Sequence, residues 1–284
     1  MTLKDVANLL NGVLVGENIS FENINIPSLA IENNLSFLKN NESLSLLKKS
    51  KCKNFIISNR LFLPKDKNYI IVNTDPIISV SKLLLEMDVE EKEHKIEKES
   101  TISKASHIGK RVSIGKETII EDNVKIYDNV IIGNNVIIHS GSIIGKPGFS
   151  HYKFEDEIIT LKGIGGVIIE DNVEIGCNSC VDAGIFNDTK IGRDTKIDNF
   201  CQIGHDVEIG EKTIICSQVG IAGYTKIGKN SLLYGKVGVS DSLILGDEFI
   251  AKGYSAVTKS FQSKTIVSGI PARENIKNLK KLSK

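Results

Sequence analysis

The chain has 284 residues, 40% of them hydrophobic and 25% charged, with no tryptophan and a formal net charge of +1. That length allows one large domain or two medium ones, and the near-neutral charge argues against general nucleic-acid binding, which shows as a basic excess. Aromatics at 6% beside 24 glycines suit thin repeating β-structure better than a helical bundle.

The amino terminus, MTLKDVANLLNGVLVGENIS, spaces its apolar residues as a helix does and predicts one over Leu3 to Leu10. It lacks the layout of a secretion signal, and no stretch reaches the ~18 uncharged apolar residues of a membrane span. NFIIS and YIIVN read as buried strands, and PIISVSKLLLEM as a closing helix. Residues 1–95 are therefore expected to form a small α/β domain. VEEKEHKIEKES, residues 89–100, is charged and nearly free of apolar side chains, and marks a boundary. The five cysteines, an odd number without a secretion signal, predict reduced thiols and a cytoplasmic protein. Cys177 and Cys180 form a CxxC without a second pair, so no metal site is expected.

From Ile102 isoleucine recurs every six residues, through Ile108, Ile114, Ile120, Ile126, Ile132 and Ile138 to Ile144. The period resumes at Ile169, Ile175 and Val181. A four-residue phase shift then sets it on Ile185, Ile191, Ile197 and onward to Val257. Four places after these residues stand small or β-branched side chains such as Val112, Thr118, Ser179 and Thr213, and glycine often follows directly. Such repetition decides the fold class, which is mainly β: a parallel β-helix over residues 101–261. Each hexad is a short strand plus a corner, and three close one triangular coil. The periodic residue points inward and stacks on its equivalents about 4.8 Å away. Glycine or asparagine at the corners takes backbone angles that branched residues resist.

Three hexads per coil place residues eighteen apart side by side. His205, in IDNFCQIGHDVEIG, therefore falls beside Gly223, in VGIAGYTKIG. An imidazole with an unperturbed pKa near ~6.5 beside a peptide N–H that no Cβ shields offers a base and an oxyanion donor, as acyl transfer requires. Asp182, in CVDAGIF, is placed to orient the imidazole or offset its charge. Asp206 is expected to point elsewhere. The threonines Thr118, Thr195, Thr213 and Thr225 occupy inward positions, which speaks against a flat outward threonine rank of the kind a non-enzymatic ice-binding prism displays.

Repeats of this kind resemble the hexapeptide-repeat acyltransferases, which implies a left-handed prism and a homotrimer with clefts between neighbouring copies. IGKPGFSHY, IGCNSCVDAGIFNDTKIG, IDNFCQIGHDVEIG and VGIAGYTKIG are further similar, in order and spacing, to UDP-3-O-acylglucosamine N-acyltransferases, and SGIPAR follows as their tails do. LSFLKNNES looks like that family's uridine-binding segment, so the resemblance spans nearly the whole chain. It implies transfer of a 3-hydroxyacyl group from acyl carrier protein to the 2-amine of a UDP-3-O-acylglucosamine in lipid A biosynthesis. It also implies His205, Asp182 and Gly223 as catalytic residues, and Asn40, Phe149, Tyr152, Asn199 and Gln202 as substrate contacts. No bound cofactor is implied; the acyl donor rides on phosphopantetheine. Three positions depart from the family pattern. Ser43 stands where a uracil-stacking tyrosine is expected, Ser242 where a second histidine is, and Ala183 where an arginine in DRG supplies a positive charge. With the short carboxyl-terminal segment, residues 262–284, expected to carry a short helix, these departures favour an alternative: an acyl- or acetyl-coenzyme A-dependent sugar-nucleotide acyltransferase for surface polysaccharide. Lys277, Lys280, Lys281 and Lys284 would suit an acidic carrier protein.

Overall fold

The computed structural model describes residues 1–39, 44–58, 63–87 and 93–275. Packing divides the chain into two units, Met1–Val89 with Ser150–Ile164, and Glu90–Phe149 with Gly165–Lys284. Among the described residues no helix is long and apolar enough to cross a membrane.

The first unit has a four-stranded sheet with helices. α1 (Leu3–Leu9) starts at a capping box: the Asp5 N–H donates to the Thr2 hydroxyl, and the Asp5 carboxylate accepts from the Thr2 N–H. Then follow β1 (Val13–Val15), β2 (Leu35–Leu38), α2 (Ser45–Lys49), β3 (Asn54–Ser58), β4 (Asn68–Val72) and α3 (Pro76–Glu86). The strand order is β1-β4-β3-β2, with only the β1–β4 pair antiparallel. α3 begins where Asp75 accepts the Ile77 N–H at 2.9 Å and Pro76 takes the first helical turn, as its missing donor permits. Phe55, Ile57, Leu38 and Leu47, of β3, β2 and α2, pack in one buried cluster with Cys52 and Tyr69. The unit also takes in a hairpin of strands His151–Phe154 and Glu157–Thr160.

The second unit is a parallel β-solenoid whose strands fall into three sheets of eight, eight and ten. Most strands are two residues long, the first facing out and the second in. The inward isoleucines form one continuous core, with Ile126, Ile175, Ile203 and Ile215 fully buried. Full burial of each contributes about 1.5–3 kcal/mol before conformational entropy is set against it. Its first coil already includes Lys95–Ile96, which pairs with Ser113–Ile114 out of the charged segment. Ile126 pairs with Ile144 eighteen residues on, as three hexads per coil require. Ile144 then pairs with Val181, because the excursion after Pro147 intervenes.

The second break corrects the sequence reading. Val181 pairs with Ile203 and Ile169 with Ile191, so one coil here is four residues longer than the others. Ile185 is buried but is no rung; it belongs to the extra residues, and the ladder steps from Val181 straight to Ile191. The corners also divide their labour differently from expectation. The left-handed backbone position lies three residues past the rung and is filled by Asn123, Asn135, Asp194, Asp206 and Tyr224, all with φ between 55° and 60°. The glycine directly after the rung serves close approach instead: a Cβ on Gly204 would lie 2.8 Å from the Gly223 nitrogen. Thr118, Thr195, Thr213 and Thr225 are fully buried, their hydroxyls donating to carbonyls of the next coil at 2.8–3.1 Å. No outward threonine rank exists among them. Residues 262–275 form strands Ile266–Ser268 and Arg273–Glu274 rather than a helix, while residues 276–284, with their lysines, lie outside the described residues.

Candidate active site

Strand Gln202–Ile203 pairs with Gly220–Ile221, so His205 and Gly223 occupy the same corner of adjacent coils. At several other corners that position closes on itself. The N–H two residues past the rung donates to an Asp or Asn side chain one coil on: Lys110 to Asp128 at 2.8 Å, Lys116 to Asn134 at 2.9 Å, Lys229 to Asp247 at 3.0 Å. At residue 223 there is no side chain, and the imidazole lies over the glycine. A Cβ on Gly223 would fall 2.6 Å from the His205 Cε1 and 2.7 Å from its Nε2. Gly148 closes the other side, where a Cβ would lie 2.5 Å from the His205 Cβ. Among the described residues, no acceptor meets the Gly223 N–H.

The acidic partner of the imidazole differs from expectation. His205 Nδ1 lies 3.0 Å from the Asp206 carboxylate, so the residue expected to point away makes the hydrogen bond. Asp206, with the left-handed backbone common to these corners (φ 57°), turns inward toward the long coil, whose amides bind its carboxylate. There it accepts the N–H groups of Ile185 at 2.6 Å, Phe186 at 3.0 Å and Asn187 at 2.8 Å, and its own N–H donates to the Thr189 hydroxyl at 2.9 Å. A buried carboxylate that receives three amides is fixed in place. A carboxylate oxygen only accepts, so the Nδ1–H donates to Asp206, and in the neutral ring form this leaves Nε2 as a bare acceptor beside Gly223. The Tyr224 ring meets the imidazole edge-on, centroids 4.7 Å apart, and Phe186 stacks on Tyr224 at 6.1 Å.

Asp182, also buried, faces Lys146 at 3.7 Å and Gln202. Burial pushes its carboxyl above the usual aspartate range, while Lys146, Gln202 and the charge of His205 act against that. Its influence on the imidazole is electrostatic. Lys146 supplies a cation here although Ala183 replaces the expected arginine; a register shift after Ile144, with Gly145 at φ 80°, brings it level with Asp182.

The remaining expected residues scatter. Gln202 faces outward and heads a 480 Å³ groove that descends along Gly220, Gly238 and Ala256. A Cβ on Gly220 or Gly238 would meet nothing within 4 Å, so the groove is open because its wall lacks side chains. Asn199 sits at the opposite end of its strand from His205, and its side chain accepts the Cys177 N–H at 2.7 Å, an ordinary corner bond. Phe149 is exposed on the second unit. Tyr152 belongs to the first, where the Lys39 ammonium lies 4.9 Å from its ring centroid beside a 260 Å³ cavity. Asn40 and Ser43 lie outside the described residues. Sequence reasoning missed Asp206 as partner, Gly148, Phe186, Tyr224 and Lys146. Among the described residues no group of three or more His, Cys, Asp or Glu is arranged to hold a metal ion.

The Bacterial transferase hexapeptide (six repeats) family model matches residues 111–146 and 188–223. The chain is 36% identical over 142 residues to a UDP-3-O-acylglucosamine N-acyltransferase of Wolinella succinogenes, a match covering 50% of this chain and 45% of that protein. Proteins of the same name from Helicobacter hepaticus and Rhizobium meliloti are 42% and 48% identical, over 48% and 47% of this chain and 42% and 38% of theirs. The chain thus spans less than half the length of the curated relatives it matches, and the matches cover half of it rather than nearly all. Two solved structures share the fold at a TM-score of 0.54 and 24% identity. They are the UDP-N-acetylglucosamine acyltransferases of Francisella novicida and Moraxella catarrhalis, which cover 66% of this chain and 73% and 75% of their own. The solenoid therefore matches hexapeptide repeats over residues 111–146 and 188–223, and half the chain is similar to UDP-3-O-acylglucosamine N-acyltransferases.

Proposed function

We propose that the chain is an N-acyltransferase that moves a 3-hydroxyacyl group from acyl carrier protein to the 2-amine of a UDP-3-O-acylglucosamine in the lipid A pathway. The observation that carries this reading is the His205–Gly223 corner: a bare imidazole nitrogen beside an unaccepted peptide N–H. The relatives' printed name supports the substrate class. Nε2 of His205 takes a proton from the amine as the amine nitrogen attacks the thioester carbonyl. The carbonyl oxygen gains charge, and the Gly223 N–H receives it. Collapse of the tetrahedral intermediate forms the amide and breaks the C–S bond, and the imidazolium returns its proton to the departing phosphopantetheine thiol. Asp206 holds the ring in the required tautomer and offsets its transient charge. Asp182 adds to the field, and Gln202 opens the groove whose bare wall would take the acyl chain. A neighbouring copy in a homotrimer would close the cleft, and the cytoplasm is the compartment where carrier-bound donor is available.

The departures at Ser43 and Ser242 keep a second reading in view, a coenzyme A-dependent sugar-nucleotide acyltransferase using the same corner. Purified protein assayed with both donors separates them. Turnover from acyl carrier protein is expected, with His205→Ala lowering it by roughly 10²–10⁴-fold while the melting curve is unchanged. Transfer from a short-chain coenzyme A thioester alone would reject the first reading, and near-full activity of His205→Ala would reject both.

A further inference from the structure

The four extra residues between Val181 and Ile191 need a physical account. A solenoid built on a strict eighteen-residue coil gains nothing in its core from a longer one: Ile185 sits apart from the ladder, and Val181 still pairs with Ile203. What the extra chain does contact is the corner of His205. Three of its consecutive N–H groups converge on the Asp206 carboxylate, the same carboxylate that bonds His205 Nδ1. Its Phe186 ring, 3% exposed, stacks on Tyr224, and Tyr224, 7% exposed, meets the imidazole edge-on at 83°. The insertion thus reaches the histidine by two independent routes, one polar and one aromatic, both buried. Its own path is tightly made: the place where a Cβ on Gly184 would stand is occupied by the Asn187 carbonyl.

We propose that this four-residue insertion is a positioning device for His205, fixing its tautomer through Asp206 and its ring plane through Phe186 and Tyr224. Without the insertion Asp206 would lose three of its donors, and with them the hold on its side-chain direction. Without Phe186 the tyrosine could tilt and release the imidazole about its Cβ–Cγ bond. The inference rests on the acyltransferase reading only for its kinetic consequence; the tautomer and ring plane are properties of the protein itself.

The test uses the full chain and three variants, Phe186→Leu, Tyr224→Leu and Tyr224→Phe, each with a melting curve, steady-state kinetics and ¹⁵N spectra of the histidine ring nitrogens. Phe186→Leu and Tyr224→Leu are expected to lower kcat roughly 10- to 100-fold, with KM within about twofold, since a small misplacement of a reacting group has costs of this order. The ¹⁵N spectrum of His205 should change from a single Nδ1–H form to a mixture. Tyr224→Phe keeps the ring and should keep both properties. If either leucine variant fails to fold, the other decides. Wild-type kcat together with an unmixed Nδ1–H spectrum in the leucine variants would overturn the proposal. Should the wild-type chain transfer no acyl group at all, the function reading fails, and the ¹⁵N spectra still decide this one.

Discussion

Two corners of the same solenoid, at Lys229 and at His205, show how one repeat gives both structure and chemistry. At Lys229 the N–H is taken by Asp247 one coil on, and the corner is closed. At the His205 corner the equivalent residue one coil on is Gly223, so an imidazole fills the space where a carboxylate would stand. The N–H that loses its periodic acceptor is that of His205, and the Gly223 N–H likewise meets no acceptor among the described residues. The difference teaches that a glycine in place of a corner side chain makes room for an imidazole in a strict repeat. Backbone geometry there is inherited from the ordinary corners, so no special loop is required.

The comparison can be broken most severely at Asp206. Asp206→Asn turns one oxygen into an NH₂ that faces His205 Nδ1 and the Ile185 N–H, which forces the imidazole proton onto Nε2. Turnover should fall by roughly 10³–10⁴-fold, the scale of a tautomer inversion in a carboxylate–histidine pair. Kinetics with ¹⁵N spectra check it, and an active variant with Nε2 protonated would sink the dyad. Next comes Gly223→Ala, whose methyl would displace the ring by close contact at 2.6–2.7 Å. About 10²-fold in kcat is expected to be lost, the scale of a reacting group displaced by about 1 Å. Gly253→Ala serves as the control, since a Cβ there meets only ordinary contacts at 3.4 Å or more and lies outside the groove.

The ordinary corner gives a smaller effect. Asp247→Ala removes the acceptor for an exposed Lys229 N–H and should cost about 1 kcal/mol of stability in denaturant melts, with kcat unchanged. Smallest is a pH effect on a corner that bears a histidine without being catalytic. His139 lies between Glu121 at 3.0 Å and Glu174 at 3.1 Å. Burial disfavours its charge, but the bonds to Glu174 and Glu121 outweigh that and raise its pKa. Because the folded value lies above the unfolded one, the stabilisation is fully present below about pH 6.5 and fades as pH rises through the folded value. His139→Gln should remove that fading from the melting temperature profile; an identical profile in both proteins would contradict the assignment.

The ladder was legible because an inward residue every six positions has no other economical reading. Eighteen-residue stacking then placed Gly223 beside His205 from the sequence alone. Helix α1 was legible through the helical spacing of its apolar residues, and α3 in the run PIISVSKLLLEM. Ile185 was misread because an inserted isoleucine happens to fall in phase with the rungs that follow. Asp206 was misread because its direction depends on a left-handed backbone and on amides twenty residues earlier, neither of which the local sequence displays. Lys146 escaped for a similar reason: a shift of register, set by Gly145, decides which residue faces Asp182. Asn199 shows the converse, a polar residue whose side chain is committed to closing a corner.

The central claim is most directly tested by a crystal structure of the protein with a phosphonate mimic of the tetrahedral intermediate joining acyl group and amino sugar. The account predicts a charged phosphonate oxygen about 2.7–3.1 Å from the Gly223 nitrogen, with the nitrogen of the mimic at His205 Nε2. A mimic bound elsewhere, or bound with its oxygens turned from Gly223 and Nε2 facing only protein, would contradict it.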